Sequence, residues 1–203
     1  MSRLRSLAAR NGVLLTEESE REMRRMTEGE GVADAIAWAG PPLPDTLGAL
    51  MQAEGLALVL AGLRYPGNVG FILRAAEVAG AAGVALDADW NASERASARR
   101  ASMRAERFLP VVECGAEAAL DAAVEAGRRI VAVETSGQAS PWSVDLRSPA
   151  AIVFGGEAEG IPEALLARAD AVVRIPTRGF IPSYNVQAAV GILLGEWLRQ
   201  NES

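Results

Sequence analysis

From residue 56 onward, short apolar runs alternate with segments of helical pattern, and this alternation constrains the fold more than any other feature. The runs that predict strands cover residues 56–63, 84–86, 109–112, 129–133, 150–154 and 171–175. Apolar runs of this length, bounded by turn residues, are typical of buried strands. Strands that alternate with helices pair in parallel, with helices packed on both faces of the sheet. The predicted fold class is therefore α/β, with a parallel sheet between two helical layers.

Helices are predicted between these strands and at both ends of the series. Asp45 and Thr46 cap a short helix toward residue 54, and further helices cover residues 69–82, 91–104, 116–126, 162–169 and 184–200. The last helix has the clearest pattern, because its apolar residues recur on one face at i, i+3 and i+4 spacing. These residues are Val186, Ala189, Val190, Leu193, Leu194, Trp197 and Leu198.

The first 50 residues differ from the rest of the chain. Residues 1–40 are polar and rich in Arg and Glu, and they predict helical segments without an apolar stripe. The run Ala39-Gly40-Pro41-Pro42-Leu43-Pro44 breaks this pattern and is typical of a linker. We therefore expect a short helical extension with a linker over residues 1–50 and one α/β domain over residues 51–203.

The chain contains no histidine, which narrows its possible chemistry. A histidine general base, a Ser-His-Asp triad and a histidine metal cluster are all excluded. The single cysteine, Cys114, excludes an internal disulfide and argues against a zinc site, so no metal is predicted. Because Cys114 follows an apolar run, a small buried side chain is favoured over a reactive thiol. Proton transfer must therefore use a carboxylate, Arg, Tyr, water or the substrate.

The net charge is −6 and all 20 basic residues are arginines. Net negative charge argues against strong non-specific binding to nucleic acid, although it leaves room for a local basic patch. Two arginine clusters could form such a patch or simply lie on solvated helix faces. They comprise Arg3, Arg5, Arg10, Arg21, Arg24 and Arg25, and Arg95, Arg99, Arg100, Arg104 and Arg107. Neither an uncharged apolar run of about 18 residues nor an N-terminal signal core is present, so we expect a cytoplasmic protein without a membrane span.

Three glycine-bearing loops follow predicted strands and precede helices. They are Pro66-Gly67-Asn68-Val69-Gly70, Gly155-Gly156-Glu157-Ala158-Glu159-Gly160 and Gly179-Phe180-Ile181-Pro182-Ser183-Tyr184-Asn185. Ligands of open α/β sheets bind beyond the carboxyl ends of the strands, where glycine permits close approach of the backbone. The loops lack the spacing of a phosphate loop and of a dinucleotide fingerprint. They therefore predict a nucleotide-like site while giving little support to a kinase or an ATPase.

The same loops carry motifs of a known family. Pro66-Gly67-Asn68-Val69-Gly70-Phe71-Ile72-Leu73-Arg74 resembles the first SpoU motif, and Ile152-Val153-Phe154-Gly155-Gly156-Glu157-Ala158-Glu159-Gly160-Ile161 resembles the second. Ile175-Pro176-Thr177, followed by Ser183-Tyr184-Asn185-Val186, resembles the third, and Arg100-Ala101-Ser102-Met103 a shorter motif. Three motifs in family order over residues 56–200 indicate the SpoU (TrmH-like) branch of the SPOUT class.

The resemblance has consequences for fold and activity. Members of this family fold as an α/β domain whose C-terminal part forms a deep trefoil knot, a rare feature that periodicity does not reveal. The knot holds S-adenosylmethionine, and members act as homodimers with active sites at the interface. They methylate ribose 2′-hydroxyl groups in rRNA or tRNA. The resemblance therefore predicts an S-adenosylmethionine-dependent RNA 2′-O-ribose methyltransferase with RNA and a second copy as partners.

Site residues are carried over by their positions in the motifs. The catalytic candidates are Asn68, Arg74, Glu157, Ser183 and Asn185. The candidates for holding the cofactor are Thr135, Gly155, Gly156, Ile175, Tyr184 and Asn185. The candidates for RNA contact are Arg64, Arg100, Ser102 and Arg104. We hypothesise that Arg74, which keeps its proton at neutral pH, positions a phosphate and stabilises the developing alkoxide, whereas Glu157 or the phosphate takes the proton.

Each of these residues also has a structural explanation. Asn68 could serve a turn, Arg74 could lie on a helix surface, Glu157 could stabilise a helix N-terminus, and Ser183 could cap the last helix. Tyr184 is more often a core or interface residue than a ligand contact. Only the joint pattern favours catalysis over these explanations.

The sequence departs from the family pattern in three ways. Tyr184 stands where leucine is usual, and Arg104 stands where glycine is usual. The first 50 residues are shorter than the N-terminal RNA-binding domain of many members and resemble only its last portion. Two alternatives stay open beside this prediction. A non-catalytic RNA-binding or ribosome-assembly paralogue is opposed by the intact catalytic candidates, and a methyltransferase for small molecules by the arginine clusters.

Overall fold

The computed structural model describes residues 2–27, 33–37, 42–147 and 149–202. The chain divides into two compact units, Met1–Pro42 and Leu43–Ser203. The first unit contains α1 (Ser2–Arg10) and α2 (Glu20–Arg25), and the side chain of Ser19 caps α2 by accepting the Glu22 N–H. Residues 39–41 of the predicted linker lie outside the described residues. The two units divide after residue 42, before the helix predicted after Thr46. The predicted boundary at residue 50, between the helical extension and the α/β domain, stays a prediction.

A six-stranded sheet forms the centre of the second unit. Its strands are β1 (Ala57–Ala61), β2 (Gly83–Asp87), β3 (Val111–Glu113), β4 (Arg129–Val133), β5 (Ala150–Gly155) and β6 (Ala171–Val173). They are all parallel and follow the order β3-β2-β1-β5-β4-β6. The predicted parallel sheet is confirmed, with the central pair β1 and β5 coming from distant parts of the chain.

Helices cover both faces of this sheet, which confirms the predicted fold class. They are α3 (Leu47–Gln52), α4 (Pro66–Val78), α5 (Ala92–Ala101), α6 (Ala116–Glu125), α7 (Glu163–Leu166) and α8 (Val186–Asn201). One core contains residues of α4, α5 and α8, and the other contains residues of α3, α6 and α7. Alternate residues of β1 enter the two cores, which explains why its sequence is apolar throughout. None of the described helices is long and apolar enough to cross a membrane.

The largest difference from the predicted helices concerns α4. The residues Pro66-Gly67-Asn68, predicted as a loop before the helix, are the first turn of this helix, which begins at Pro66. Proline is well suited to the first helical position, because an N–H group there would have no acceptor within the helix and its absence costs nothing. Asn68 is consequently buried within α4, with 7% of its surface exposed. Several helices also end earlier than predicted: α3 ends at Gln52, α4 at Val78 and α5 at Ala101, and α7 spans only Glu163–Leu166.

A strained turn follows α5. Met103 and Arg104 adopt left-handed backbone conformations, with φ of 55° and 63°. Ser102, only 1% exposed, supports this turn, because its hydroxyl oxygen accepts the Arg104 N–H at 3.1 Å and lies 2.9 Å from a carboxylate oxygen of Glu106. The left-handed φ at Arg104 explains why glycine is usual at this position in the family pattern.

Helix α4 approaches the last turn of α5 closely at Gly70. A β-carbon on Gly70 would lie 2.5 Å from both the Ala98 carbonyl oxygen and the Ala101 β-carbon. The contact between α4 and α5 therefore requires glycine at this position. It fixes the first-motif helix against the shorter motif that contains Ser102.

Arg104→Gly is expected to stabilise the protein. Relief of the left-handed φ should exceed the greater unfolded-state entropy of glycine, which gives a net gain of roughly 0.5–1 kcal/mol in the free energy of unfolding. Urea unfolding should be compared with that of Arg104→Ala, which removes the same side chain but keeps the strain. An equal gain in both variants would attribute the effect to the side chain and contradict the strain argument.

Candidate functional site

A cavity of about 770 Å³ opens beyond the carboxyl ends of β4, β5 and β6. This is the edge where open α/β sheets bind ligands. The loops after these three strands and the start of α8 form its walls. The predicted residues that line it are Thr135, Gly155, Gly156, Glu157, Ile175, Ser183, Tyr184 and Asn185. The predicted cofactor residues thus lie around one cavity, together with three of the catalytic candidates.

The wall after β5 depends on two glycines. A β-carbon on Gly155 would overlap the backbone of Gly160 and Ile161, and one on Gly156 would lie 2.5 Å from the Gly62 carbonyl oxygen. The loop folds back on itself here, with the Gly160 N–H donating to the Gly156 carbonyl at 2.9 Å. Side chains at these two positions would push the loop away from β1 and change the cavity wall.

Three predicted catalytic residues form one hydrogen-bonded cluster. The side-chain amide of Asn68 donates to Glu157 Oε1 at 2.7 Å, and that of Asn185 donates to Asn68 Oδ1 at 3.4 Å. The Arg64 N–H donates to Glu157 Oε2 at 3.3 Å. Asn68 therefore joins two cavity-lining residues, and the three motifs supply one member each to this cluster.

The fold explains why these residues meet. Ala61 at the end of β1 is paired in register with Gly155 at the end of β5, so the chain segments that follow the two strands are neighbours. Asn185 caps α8, its side-chain oxygen accepting the Gln187 N–H at 2.9 Å, and α8 packs against α4. The helix cap that the sequence suggested for Ser183 thus belongs to Asn185, whereas Ser183 lies in the loop that lines the cavity.

Two other residues singled out by the sequence lie away from the cavity. Arg74 is exposed on α4 and forms neither a hydrogen bond nor an ion pair with the part of the chain that the structure describes. The structure therefore does not bring Arg74 into the Asn68 cluster.

Cys114 is half-buried, and its pKa is raised. Burial is the larger cause, and the negative charge of Asp87 is the smaller one. A raised pKa leaves little thiolate at neutral pH, which agrees with a structural cysteine.

The candidates for RNA contact occupy different environments. Arg100 is exposed in the last turn of α5, and Arg104 is exposed in the strained turn that follows it. Arg64 forms an exposed ion pair with Glu159 at 3.0 Å. Ser102, in contrast, is buried in the strained turn. Its side chain is not at the surface, so Ser102 can influence RNA contact only through the turn that carries Arg104.

Sequence reasoning missed Glu134, which directly follows β4. Its Oε1 accepts the Thr135 N–H at 2.7 Å and the Thr135 hydroxyl at 3.1 Å, whereas its Oε2 accepts the Ile161 N–H at 3.1 Å. Glu134 lines the cavity and connects the loops after β4 and β5. The only signal in the sequence was a carboxylate at the end of a predicted strand, next to Thr135.

The loop before α8 presents several apolar side chains. Phe180 is fully exposed, Ile181 is 73% exposed and Tyr184 is 47% exposed. The Tyr184 hydroxyl donates to the Pro176 carbonyl at 3.4 Å, which connects the two ends of the loop. Tyr184, standing where leucine is usual, thus lines the cavity without closing it.

Known proteins share these sequence and structural features. Residues 55–195 match the model of the SpoU rRNA Methylase family. The 23S rRNA (guanosine-2′-O-)-methyltransferase RlmB of Xanthomonas axonopodis pv. citri is 35% identical over 84% of this chain and 70% of its own length. The RlmB protein of Pseudomonas syringae pv. tomato is 31% identical over 98% of this chain and 82% of its own length.

A solved structure shows the same fold. The AdoMet-bound rRNA methyltransferase of Sinorhizobium meliloti superposes with a TM-score of 0.70 at 31% identity and covers 76% of this chain. This chain spans 61% of the length of that protein. The family match covers most of the α/β unit and includes all three motifs. The chain therefore belongs to the SpoU rRNA methylase family, as its motifs predicted.

Proposed function

We propose that this protein transfers a methyl group from S-adenosylmethionine to a ribose 2′-hydroxyl of RNA. The observation that carries the proposal is the hydrogen-bonded cluster of Asn68, Glu157 and Asn185 beside a glycine-walled cavity. The names of the RlmB relatives support the activity. AdoMet in the Sinorhizobium relative supports the cofactor. These relatives agree with the activity predicted from the motifs.

The cavity suits S-adenosylmethionine in size and character. Its volume of about 770 Å³ lies within the range of roughly 300–1,000 Å³ that is usual for small-molecule sites. Phe154, Ile161 and Ile175 give it apolar walls, and the glycine loop offers backbone polar groups. We propose that Thr135, Gly155, Gly156, Ile175, Tyr184 and Asn185 hold the cofactor there. When bound, S-adenosylmethionine supplies a methyl group already activated by its sulfonium.

The residues of the cluster then have distinct roles. The protein must align the ribose hydroxyl and remove its proton. We assign proton acceptance to Glu157 or to an RNA phosphate, and orientation of Glu157 to Asn68, which donates to it at 2.7 Å. Ser183 and Asn185 orient the ribose and the loop before α8. None of these steps requires a histidine.

Arg74 fits this scheme from outside the cavity. Its exposed guanidinium is free to bind a phosphate next to the reactive ribose and to stabilise the developing alkoxide. In the predicted homodimer, the active sites lie at the interface between the two copies. An arginine that is exposed in a single chain can therefore act at an active site in the dimer. The dimer is part of the proposal, as are RNA contacts by Arg64, Arg100 and Arg104.

We also propose the C-terminal trefoil knot that the family resemblance predicts. Strand β6 lies at the sheet edge beyond β4, whereas α8 packs against α4, which follows the central strand β1. The segment between β6 and α8 therefore returns past the loops after β4 and β5, and all three loops line the cavity. This return path supports the proposed knot and its position beside the proposed cofactor site.

Ribosomal RNA is the first substrate to test, because the RlmB relatives are named for 23S rRNA. A ribosomal substrate fits the predicted cytoplasmic location. Transfer RNA stays the second candidate substrate. The non-catalytic paralogue is not favoured, since all five catalytic candidates are present and three of them form one cluster. The arginines near α5 argue against a small-molecule acceptor.

The proposal is tested by transfer of labelled methyl from S-adenosylmethionine to unmodified rRNA and tRNA, followed by analysis of the nucleosides. We expect a new 2′-O-methyl nucleoside in one RNA class. Calorimetry should show cofactor binding in the micromolar range. A folded protein that binds the cofactor and transfers no methyl group to either RNA would favour the non-catalytic paralogue.

Arg74→Ala is expected to abolish transfer, with a loss of at least about 100-fold in rate. Cofactor affinity should change by less than about twofold, because Arg74 does not line the cavity. The measurements are methyl transfer and calorimetry on the same preparation, with Arg147→Ala as a control at another exposed arginine. Loss of cofactor binding by folded Arg74→Ala would refute the role assigned to it.

Asn185→Ala is expected to weaken both cofactor binding and transfer. The substitution removes the cap of α8, at a cost of about 1 kcal/mol in stability, and the hydrogen bond to Asn68. Asn185→Asp is the matched control, because it retains the cap oxygen and removes the donor. It should keep most of the stability and still lose transfer. Unchanged affinity and rate in Asn185→Ala would contradict the proposed role.

A further inference from the structure

We infer that Glu134 makes the cavity selective for a positively charged ligand, so that it binds S-adenosylmethionine more tightly than the neutral product S-adenosylhomocysteine. The inference rests on the proposed function, since it concerns the cofactor of that reaction. It assigns a role to a residue that the motifs do not include.

The carboxylate of Glu134 is fixed in place without a positive partner. It is half-buried at the end of β4 and lines the cavity. Its hydrogen-bond donors, the Thr135 N–H, the Thr135 hydroxyl and the Ile161 N–H, are all uncharged. Within the part of the chain that the structure describes, no arginine forms an ion pair with Glu134. The cavity wall therefore carries a negative charge that hydrogen bonds orient but do not neutralise.

The other charged groups of the wall are placed differently. Glu159 is 76% exposed at its side chain and pairs with Arg64 at 3.0 Å. Glu157 belongs to the Asn68 cluster, where it serves the ribose hydroxyl. Arg174 is exposed to solvent, which screens its charge. Any attraction of Arg174 for a ligand carboxylate is the same for the cofactor and its product, because both carry that group.

The chemistry of methyl transfer changes the charge of the ligand. The ribose oxygen forms a bond to the methyl carbon, the carbon–sulfur bond breaks with its electron pair returning to sulfur, and the hydroxyl proton passes to Glu157 or phosphate. A cationic sulfonium thereby becomes a neutral thioether. Attraction between charges is stronger in a half-buried site than in water and falls off slowly with distance. Glu134 can therefore favour the cation without touching the sulfur.

This preference has a consequence for turnover. The substrate cofactor is attracted to the wall by its charge, and the attraction disappears in the step that forms the product. The spent cofactor is then held only by contacts that the two ligands share. Glu134 thus assists product release and limits inhibition by the product, without taking part in the proton transfer.

Calorimetry on the full chain tests the inference with three ligands. They are S-adenosylmethionine, S-adenosylhomocysteine and sinefungin. Sinefungin is an analogue in which a carbon bearing a positively charged amine replaces the methylsulfonium group. In Glu134→Gln, which matches the side chain in size and removes its charge, the affinities for the two cations should fall about tenfold. The affinity for the neutral product should fall by less than about twofold.

Two control variants separate charge from packing. Glu134→Asp keeps the charge and shortens the side chain, so it should weaken all three ligands while largely preserving their ratios. Glu159→Gln removes a paired, exposed carboxylate and should leave the ratios unchanged. An equal loss for cations and neutral product in Glu134→Gln, or no change at all, would overturn the inference. Failure of the unmodified protein to bind any of the three ligands would instead overturn the proposed cofactor, and the inference with it.

Discussion

The parallel pairing of β1 with β5 is the interaction on which the site depends. These strands are far apart in the sequence, yet Ala61 and Gly155 face each other in register at their carboxyl ends. The first turn of α4 and the glycine loop after β5 consequently leave the sheet side by side. Without that register, Asn68 and Glu157 could not form their hydrogen bond of 2.7 Å. The placement of β4 on the other side of β5 adds Glu134 to the same cavity.

A site without histidine can perform methyl transfer from S-adenosylmethionine, because the sulfonium already activates the methyl group. What the protein supplies is alignment, an acceptor for one proton and a suitable electrostatic environment. Asn68 joins the loop after β5 to the cap of α8, and we propose that this contact contributes to alignment. Of the three carboxylates, Glu159 is paired with Arg64 at the surface. We propose that Glu157 serves the ribose hydroxyl and that Glu134 shapes the electric field of the cavity. The arginines lie mainly outside the cavity, where we propose that they contact RNA phosphates.

Backbone strain coincides with the predicted RNA-facing motif. Met103 and Arg104 hold left-handed conformations that glycine would adopt more easily, and buried Ser102 supports them. Strained residues persist where the surrounding structure fixes them, and they often occur at functional sites. Here the close packing of Gly70 against α5 supplies that support. The chain thus retains an arginine in a costly conformation at the edge of the proposed RNA surface.

The sequence alone determined the strands, the two-layered helical cover and the family. Apolar runs were readable because β1 and β5 are buried on both faces, and the motifs identified Asn68, Glu157 and Asn185 by resemblance. The start of α4 was ambiguous, since a Pro-Gly-Asn run suits both a turn and a first helical turn. Only the tertiary structure decided that Asn68 is buried between Glu157 and Asn185, that Arg74 lies outside the cavity, that Ser102 is inaccessible and that Glu134 lines the wall. Burial and hydrogen-bond partners follow from strand order and register, which the periodicity of a single sequence does not encode.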